Sequence, residues 1–271
     1  MESNVIQQRV PINGDPGHWV HVSDSPRSVR VLFGGETIAD SKRVKLLRES
    51  SILPVYYFPT QDVRTDLLVQ SQHTTACPYK GQASYWTARA SDKIAENAVW
   101  SYVNPLSEAA TLKDHVAFEW NKMDKWFEED EEIYIHPRDP FKRVDALPSK
   151  RHVRVVIDGQ TVADTRRPHL LFETNHPVCY YIPQEDVRMD LLVSSATQSR
   201  CPYKGPASYW SAKIGAQLFE DMIWGYMEPI PECPKIKGLL CFFHERGAEI
   251  FVDGEKIPPP NTKWARELKA K

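Results

Sequence analysis

The sequence predicts a mainly β protein built as two tandem domains of short antiparallel sheets. Three observations carry that prediction. Shifting the 271-residue chain by 124 positions lays its first half on its second. Apolar β-branched and aromatic runs alternate with Gly and Pro turn signals. And 21 Pro, 8 Trp, 11 Tyr and 10 Phe stand against only 12 Gly. With 41% hydrophobic and 26% charged residues, the chain can bury a core and is not disordered by composition. No run of about 18 apolar residues occurs, so no membrane span is expected. The amino end, MESNVIQQRVPINGDPGHW, lacks the apolar stretch of a signal peptide, and a cytoplasmic location is the expectation. A net charge of -2 gives no basic footprint, so no nucleic-acid partner is expected.

The repeat fixes the domain plan. RSVRVLFGGETIADSKR (27–43) aligns with RHVRVVIDGQTVADTRR (151–167), and CPYKGQASYW (77–86) with CPYKGPASYW (201–210). Val29–Trp86 gives 31 identities in 58 ungapped pairs. Matches continue through Trp100/Trp224, Tyr102/Tyr226, Pro105/Pro229, Lys113/Lys237 and Phe118/Phe242. Beyond them the copies read as out of register. Seven residues are taken as missing from the second copy, and EIYIHP (132–137) resumes against EIFVDG (249–254). The resulting plan is an extension over 1–26, domains over 27–145 and 146–260, and a tail over 261–271, a pseudo-dimer within one chain. Residues 136–152, rich in Pro and charge, read as a short tether. The first 22 residues read as loosely packed or not packed at all.

Within each copy the elements follow in order. VRVLF and VRVVI are strands, and Gly34-Gly35 and Asp158-Gly159 are two-residue hairpin turns leading to TIAD and TVAD. PVYYFP and VCYYIP, bounded by prolines, suit edge or terminal strands. DVRTDLLV and DVRMDLLV turn into a further strand. CPYKG is a tight loop, with Gly giving the sharp turn and Pro fixing φ, and ASYW leaves it as a strand. KIAENAVWSYV fits a helix, with Ile94, Ala98 and Tyr102 four apart, or equally a strand. VAFEW and EEIYIH close the domain as strands.

Duplication filters the candidate residues, because a site shared by both domains must use residues present in both. Of five Cys, only Cys77 and Cys201 correspond, and none of the nine His recurs at the offset. A duplicated zinc site, which needs about four Cys/His ligands, is therefore not expected, nor is a duplicated Cys–His or Ser–His–Asp centre. No nucleotide-phosphate glycine loop is present. The CPYKG loop places Cys77, Lys80, Tyr85 and Trp86 (Cys201, Lys204, Tyr209 and Trp210) close together. Aromatic rings there would stack on a planar ligand and Lys would meet an anionic or carbonyl group. The plainer reading sends Tyr85 and Trp86 to opposite faces and leaves Lys80 as a solvated turn residue. Glu49/Glu173, kept where its neighbours differ, reads as facing a pocket, pairing with a Lys or capping a turn, and a buried pair with Lys80/Lys204 would suit acid–base work. Arg64/Arg188, between two Asp, reads as a local salt-bridge device or a ligand contact. Tyr56-Tyr57 and Tyr180-Tyr181 read as half core, half surface.

Taken together, VRV…G-x-T-x-AD, E…YY-x-P…DVR-x-DLL, CPYKG-x-ASYW, W-x-Y…P and EEIYIHPRDP make each copy resemble the domain of unknown function 427 family, which also carries a nucleotidyltransferase-like label. The match covers 27–145 and 151–260. The resemblance implies a β-tent: two antiparallel sheets pinned at one edge and open at the other, with a pocket between them. Similar tents occur in methionine sulfoxide reductase B and the thalidomide-binding domain of cereblon. Those relatives commonly hold zinc on paired CxxC motifs. This sequence has none, so neither metal nor cofactor is expected. No phosphate loop or metal-binding acid pair supports the nucleotidyltransferase label. The second copy departs from the pattern in FVDGEKIPPP and in Gln198-Ser199-Arg200, so its pocket is expected to differ.

The leading expectation is an unidentified small molecule, planar or anionic, bound in each domain by Lys80, Tyr85, Trp86, Arg64 and Tyr57 (Lys204, Tyr209, Trp210, Arg188 and Tyr181). The alternatives are a metal-free enzyme and a protein interaction module. The enzyme would use Glu49 with Lys80, Glu173 with Lys204, or Cys77 and Cys201 as nucleophiles.

Overall fold

A computed structural model describes residues 17–50 and 52–260. The chain divides into two compact units, 1–139 and 140–271. The first holds β1 (Val20–Asp24), β2 (Val29–Phe33), β3 (Glu36–Ser41), β4 (Lys45–Glu49), β5 (Ile52–Pro59), β6 (Leu68–Cys77), β7 (Gly81–Ala90), β8 (Lys93–Ser101), β9 (His115–Phe118), β10 (Lys125–Glu128) and β11 (Glu131–Ile133). They form a seven-stranded sheet, β1-β4-β5-β9-β8-β7-β6, and a four-stranded sheet, β11-β10-β2-β3.

The second unit repeats the plan with β12 (Val144–Pro148), β13 (Val153–Ile157), β14 (Gln160–Thr165), β15 (His169–Glu173), β16 (Cys179–Tyr181), β17 (Leu192–Cys201), β18 (Gly205–Ile214), β19 (Gln217–Gly225), β20 (Leu240–Phe242), β21 (Glu249–Val252) and β22 (Glu255–Lys256). Its large sheet comes as β12-β15-β16 and β17-β18-β19-β20, linked by an antiparallel bridge between Ile182 and Leu240. Its small sheet is β14-β13-β21-β22. The chain is thus mainly β, in two tandem domains of short antiparallel sheets.

Alternation explains the layering. Along β5, Tyr56 and Phe58 join a core that includes Val29, Val31, Phe33 and Trp126 of the four-stranded sheet. Tyr57, between them, points the other way, into a smaller cluster with Leu47, Ala83, Tyr102, Leu112 and Ala117. The large sheet is therefore apolar on both faces, and each face has its own core. The second unit reproduces both clusters. In its smaller one, Cys179, Cys233 and Cys241 stand where the first has Val55, Ala109 and Ala117. The three cysteines without a counterpart are thus small apolar fillers.

Several expectations change. Residues 20–24 are no loose extension: β1 pairs with β4 along its whole length. The tether likewise contains β12, which pairs with β15. Residues 1–16 and 261–271 lie outside the described residues. The proposed seven-residue gap is absent. Val29 pairs with Glu128, and Val153 with Val252, so KWFEEDEE (125–132) matches EIFVDGEK (249–256) at the unbroken offset of 124. The similar strings EIYIHP and EIFVDG had suggested a false register. PVYYFP is not at an edge, since β5 lies between β4 and β9, whereas VCYYIP supplies β16, the terminal strand of β12-β15-β16. The pairing of β5 with β9 is confined to Phe58 and Pro59, so Pro54 sits where β9 asks for no N–H. KIAENAVWSYV is strand β8.

One edge of the large sheet is β6, and one edge of its counterpart is β17. Both carry the same irregularity. Between the pairs Gln70–Trp86 and Thr74–Ser84, β6 spends two more residues than β7, and Ser194–Trp210 to Gln198–Ser208 repeats the step. Among the described residues no helix is long and apolar enough to cross a membrane.

The β2–β3 turn behaves as its sequence predicts. Gly34 and Gly35 both take positive φ (59° and 82°), as do Asp158 and Gly159 (48° and 74°), the signature of a type I′ hairpin turn. The two glycines differ in surroundings. A Cβ on Gly34 would lie 2.5 Å from the Ala90 carbonyl oxygen, whereas nothing lies within 4 Å of one on Gly35. Gly35→Ala should lower stability by about 1–2 kcal/mol, the cost of left-handed backbone. Gly34→Ala adds overpacking of about 1–3 kcal/mol. Urea denaturation of the two variants should rank them in that order.

Candidate functional site

The CPYKG turn joins β6 to β7, with Cys77 opposite Gly81. Gly81 and Gly205 take φ of 100° and 102°, as the turn demands. Backbone bonds pin each turn: Leu106 N–H donates to the Lys80 carbonyl, and Ile230 N–H to that of Lys204, both at 3.1 Å. The side chain of Lys80 then turns inward. Its Nζ donates to Oε2 of Glu49, which closes β4. Lys80 is 6% exposed and Glu49 5%, so Lys80 is no solvated turn residue.

A third group completes the carboxylate. His18, two residues before β1, hydrogen-bonds Oε1 of Glu49 at 2.9 Å. Its Nδ1 lies 3.1 Å from the Ser50 hydroxyl, and its ring stacks on Tyr79 at 3.5 Å. In the second domain Lys204 donates to Glu173 Oε2, and Lys142, at the position of His18, donates to Oε1 at 2.7 Å. Lys142 also sits over the Tyr203 ring and 2.9 Å from His176 Nε2. Burial lowers the His176 pKa, with Glu173 opposing and both lysines adding to it. A neutral His176 thus accepts a hydrogen bond from Lys142.

In the second domain the Glu173–Lys204 pair stays charged. Burial pushes the Glu173 carboxyl up, but Lys204 and Lys142 bring it below the usual carboxylate value. Burial likewise pulls Lys204 down, yet Cys201 and Glu173 leave it above its ordinary value. Around the Glu49–Lys80 pair of the first domain lie two deeply buried phenols. Burial raises the Tyr57 hydroxyl well above its usual value, with Tyr102, Glu49 and Cys77 adding to it and a hydrogen bond from Trp100 opposing. Burial raises Tyr102 too, with Cys77, Tyr85 and Glu49 contributing. Trp100 Nε1 donates to the Tyr57 hydroxyl at 3.1 Å, and the two rings meet edge-on. Tyr181, Tyr226 and Trp224 repeat this set.

On the same face, Tyr85 and Trp100 are cross-strand neighbours, as are Tyr209 and Trp224. All four are half-buried. The outer hydroxyls are anchored: Tyr85 bonds Thr75 at 2.9 Å and Tyr209 bonds Ser199 at 2.7 Å. In the second domain Phe243 adds a ring 4.1 Å from Trp224.

The structure therefore brings together Glu49, Lys80, Cys77, Tyr57 and Tyr85, and their counterparts Glu173, Lys204, Cys201, Tyr181 and Tyr209. It sets two of the expected residues apart. Trp86 and Trp210 pack against the larger core, on the opposite face of the sheet from Tyr85 and Tyr209. Arg64 and Arg188 are exposed and held bidentately by Asp66 and Asp190. Sequence reasoning missed Trp100, Tyr102 and the His18/Lys142 position. The first two recur at the offset and were readable there; His18 and Lys142 differ in type. Among the described residues, no three His, Cys, Asp or Glu side chains converge as metal ligands do.

Fold and site define a class: a tandem β protein in which each domain folds its second face around one buried Glu–Lys pair. The sequence profile of a family described as domain of unknown function (DUF427) matches residues 21–129 and 145–254. The chain belongs to that family, with one copy in each unit. No curated protein matches it.

Removing one partner strands the other charge. Lys80→Met should cost about 3–5 kcal/mol, whereas Glu49→Leu with Lys80→Met should return to within about 1 kcal/mol of wild type in urea denaturation. The pH dependence follows from Glu173 and Lys204. The lowered carboxyl contributes stability above its unfolded value of 4.5, lost as pH falls through the folded value. The raised ammonium contributes below its unfolded value of 10.5, lost as pH rises through the folded value. The stability difference between wild type and Glu173→Leu/Lys204→Met should stay flat from about pH 7 to 10 and change on either side, with His176, which both residues influence, contributing below that window.

Proposed function

We propose that each domain binds a small, planar, uncharged molecule against the Tyr85–Trp100 wall in the first copy and the Tyr209–Trp224 wall in the second. The observation that carries this reading is the pairing of two half-exposed rings across adjacent strands, on the face that also holds the buried Glu–Lys pair, in both domains. Rings fixed in this way give a planar ligand a stacking surface at little entropic cost. The Glu–Lys pair supplies rigidity rather than a free charge. Both oxygens of each carboxylate are engaged, so an anion gains little from Lys80 or Lys204. A general acid or base works best with a pKa near the operating pH. Glu173 and Lys204 are shifted in the opposite directions, which favours binding over acid–base catalysis.

The test is a thermal-shift screen of the full chain against nucleobases, cyclic imides and aromatic acids. A neutral planar compound should raise the melting temperature and quench tryptophan fluorescence. Trp100→Leu combined with Trp224→Leu should weaken that compound at least about tenfold, given ~1–3 kcal/mol per stacked ring. Trp86→Leu should leave the affinity of any folded protein unchanged. A panel without a single hit, or a hit indifferent to Trp100 and Trp224, would overturn the proposal.

A further inference from the structure

The first domain holds a cleft built from residues that the aromatic wall does not use. Its volume is about 790 Å³, and its lining includes Lys42, Arg43, Lys45, Lys113 and His115. It gathers the end of β1, the approach to β4, the end of β5 and the start of β9. Lys45 opens β4 and Glu49 closes it, so this cleft and the Glu49–Lys80 pair lie at opposite ends of that strand.

Its charges are not equivalent. Lys45 is paired with Asp24 at 2.8 Å. Arg43 is braced: its Nε and Nη2 donate to Asp62 at 3.3 and 2.6 Å, and the Ser41 hydroxyl donates to the same carboxylate at 2.5 Å. That hold fixes the guanidinium plane and leaves Nη1 for another acceptor. Lys42 and Lys113 are exposed, and neither forms an ion pair with a described residue. His115 Nδ1 donates to the Lys113 carbonyl at 2.7 Å, which orients the ring. One rigid cation and two free ammonium groups around one cavity match a ligand with more than one negative oxygen.

We propose that this cleft binds a small multivalent oxyanion, a phosphate monoester or a diphosphate. Two carboxylates line the cleft as well, Asp24 and Asp114. They repel a long polyanion while a compact one still reaches the three cations. The second domain keeps the brace, with Thr165 and Arg167 on Asp186, and has Arg166 and Lys237 at the positions of Lys42 and Lys113. But Lys237 is tied to Glu228 at 3.0 Å. Glu185 replaces Gln61, and Leu239 replaces His115. The first domain is therefore the binding copy.

Inorganic pyrophosphate is the probe, titrated into the full chain by calorimetry at about 20 mM ionic strength, where screening is weak. Wild type should bind it, and Lys42→Ala/Lys113→Ala should bind at least tenfold more weakly with an unchanged urea midpoint, because both lysines are exposed. Arg166→Ala/Lys237→Ala should leave the affinity unchanged. Absence of pyrophosphate binding, equal affinity in the Lys42/Lys113 variant, or an equal loss in the Arg166/Lys237 variant would overturn the proposal. So would a single-stranded oligonucleotide that binds more tightly than pyrophosphate at equal phosphate concentration.

Discussion

The buried ion pair between the CPYKG lysine and the glutamate at the end of β4 is the constraint on which the rest of each domain depends. It ties the β6–β7 turn, at one end of the seven-strand order, to β4 near the other. Burying two charges gains little net stability, so its value lies in geometry. With the lysine fixed, the turn is fixed, and β7 leaves it in a register that sets Tyr85 beside Trp100. The His18/Lys142 position works on the same carboxylate from a third direction, and in the first domain it anchors His18, two residues before β1.

A sheet that is apolar on both faces solves a packing problem and creates a division of labour. One face meets the four-stranded sheet and closes around Phe33, Phe58 and Trp126. The other holds the polar constellation and leaves two rings half open. Strand alternation separates Trp86 from Tyr85, although they are adjacent in sequence. Packing at Trp86 and recognition at Tyr85 are thus specified by neighbouring residues.

Much of this was legible in the sequence. The offset of 124 exposed two domains, and Glu49 stood out because it persisted between changed neighbours. The hairpin turn at Gly34-Gly35 and the CPYKG turn were readable from glycine chemistry. What escaped had physical causes. In β8, Asn97 takes a positive φ of 50°, and the pairing with β7 slips between Trp86 and Ala88. The period of two is broken there, and Ile94, Ala98 and Tyr102 mimic a helical spacing, although Ile94 is 57% exposed and Ala98 fully buried. A filter that demands identical residues discards His18, because an ammonium does in the second domain what an imidazole does in the first. Face assignment needed coordinates, since a register shift decides on which side each aromatic lands.

The edge strands β6 and β17 carry a consequence for how such a chain folds. Two segments so alike, joined in one polypeptide, invite each nascent edge to recruit the other copy's partner strand, a known failure of tandem repeats. Both edges spend two surplus residues at the same point, which interrupts the ladder and twists the exposed backbone away from a flat template. The exposed run Gln72-His73-Thr74-Thr75 adds no apolar side chain to such an encounter. Because both copies share the irregularity, it does not tell one copy's hairpin mate from the other's; it protects each folded sheet edge from adding a further flat strand.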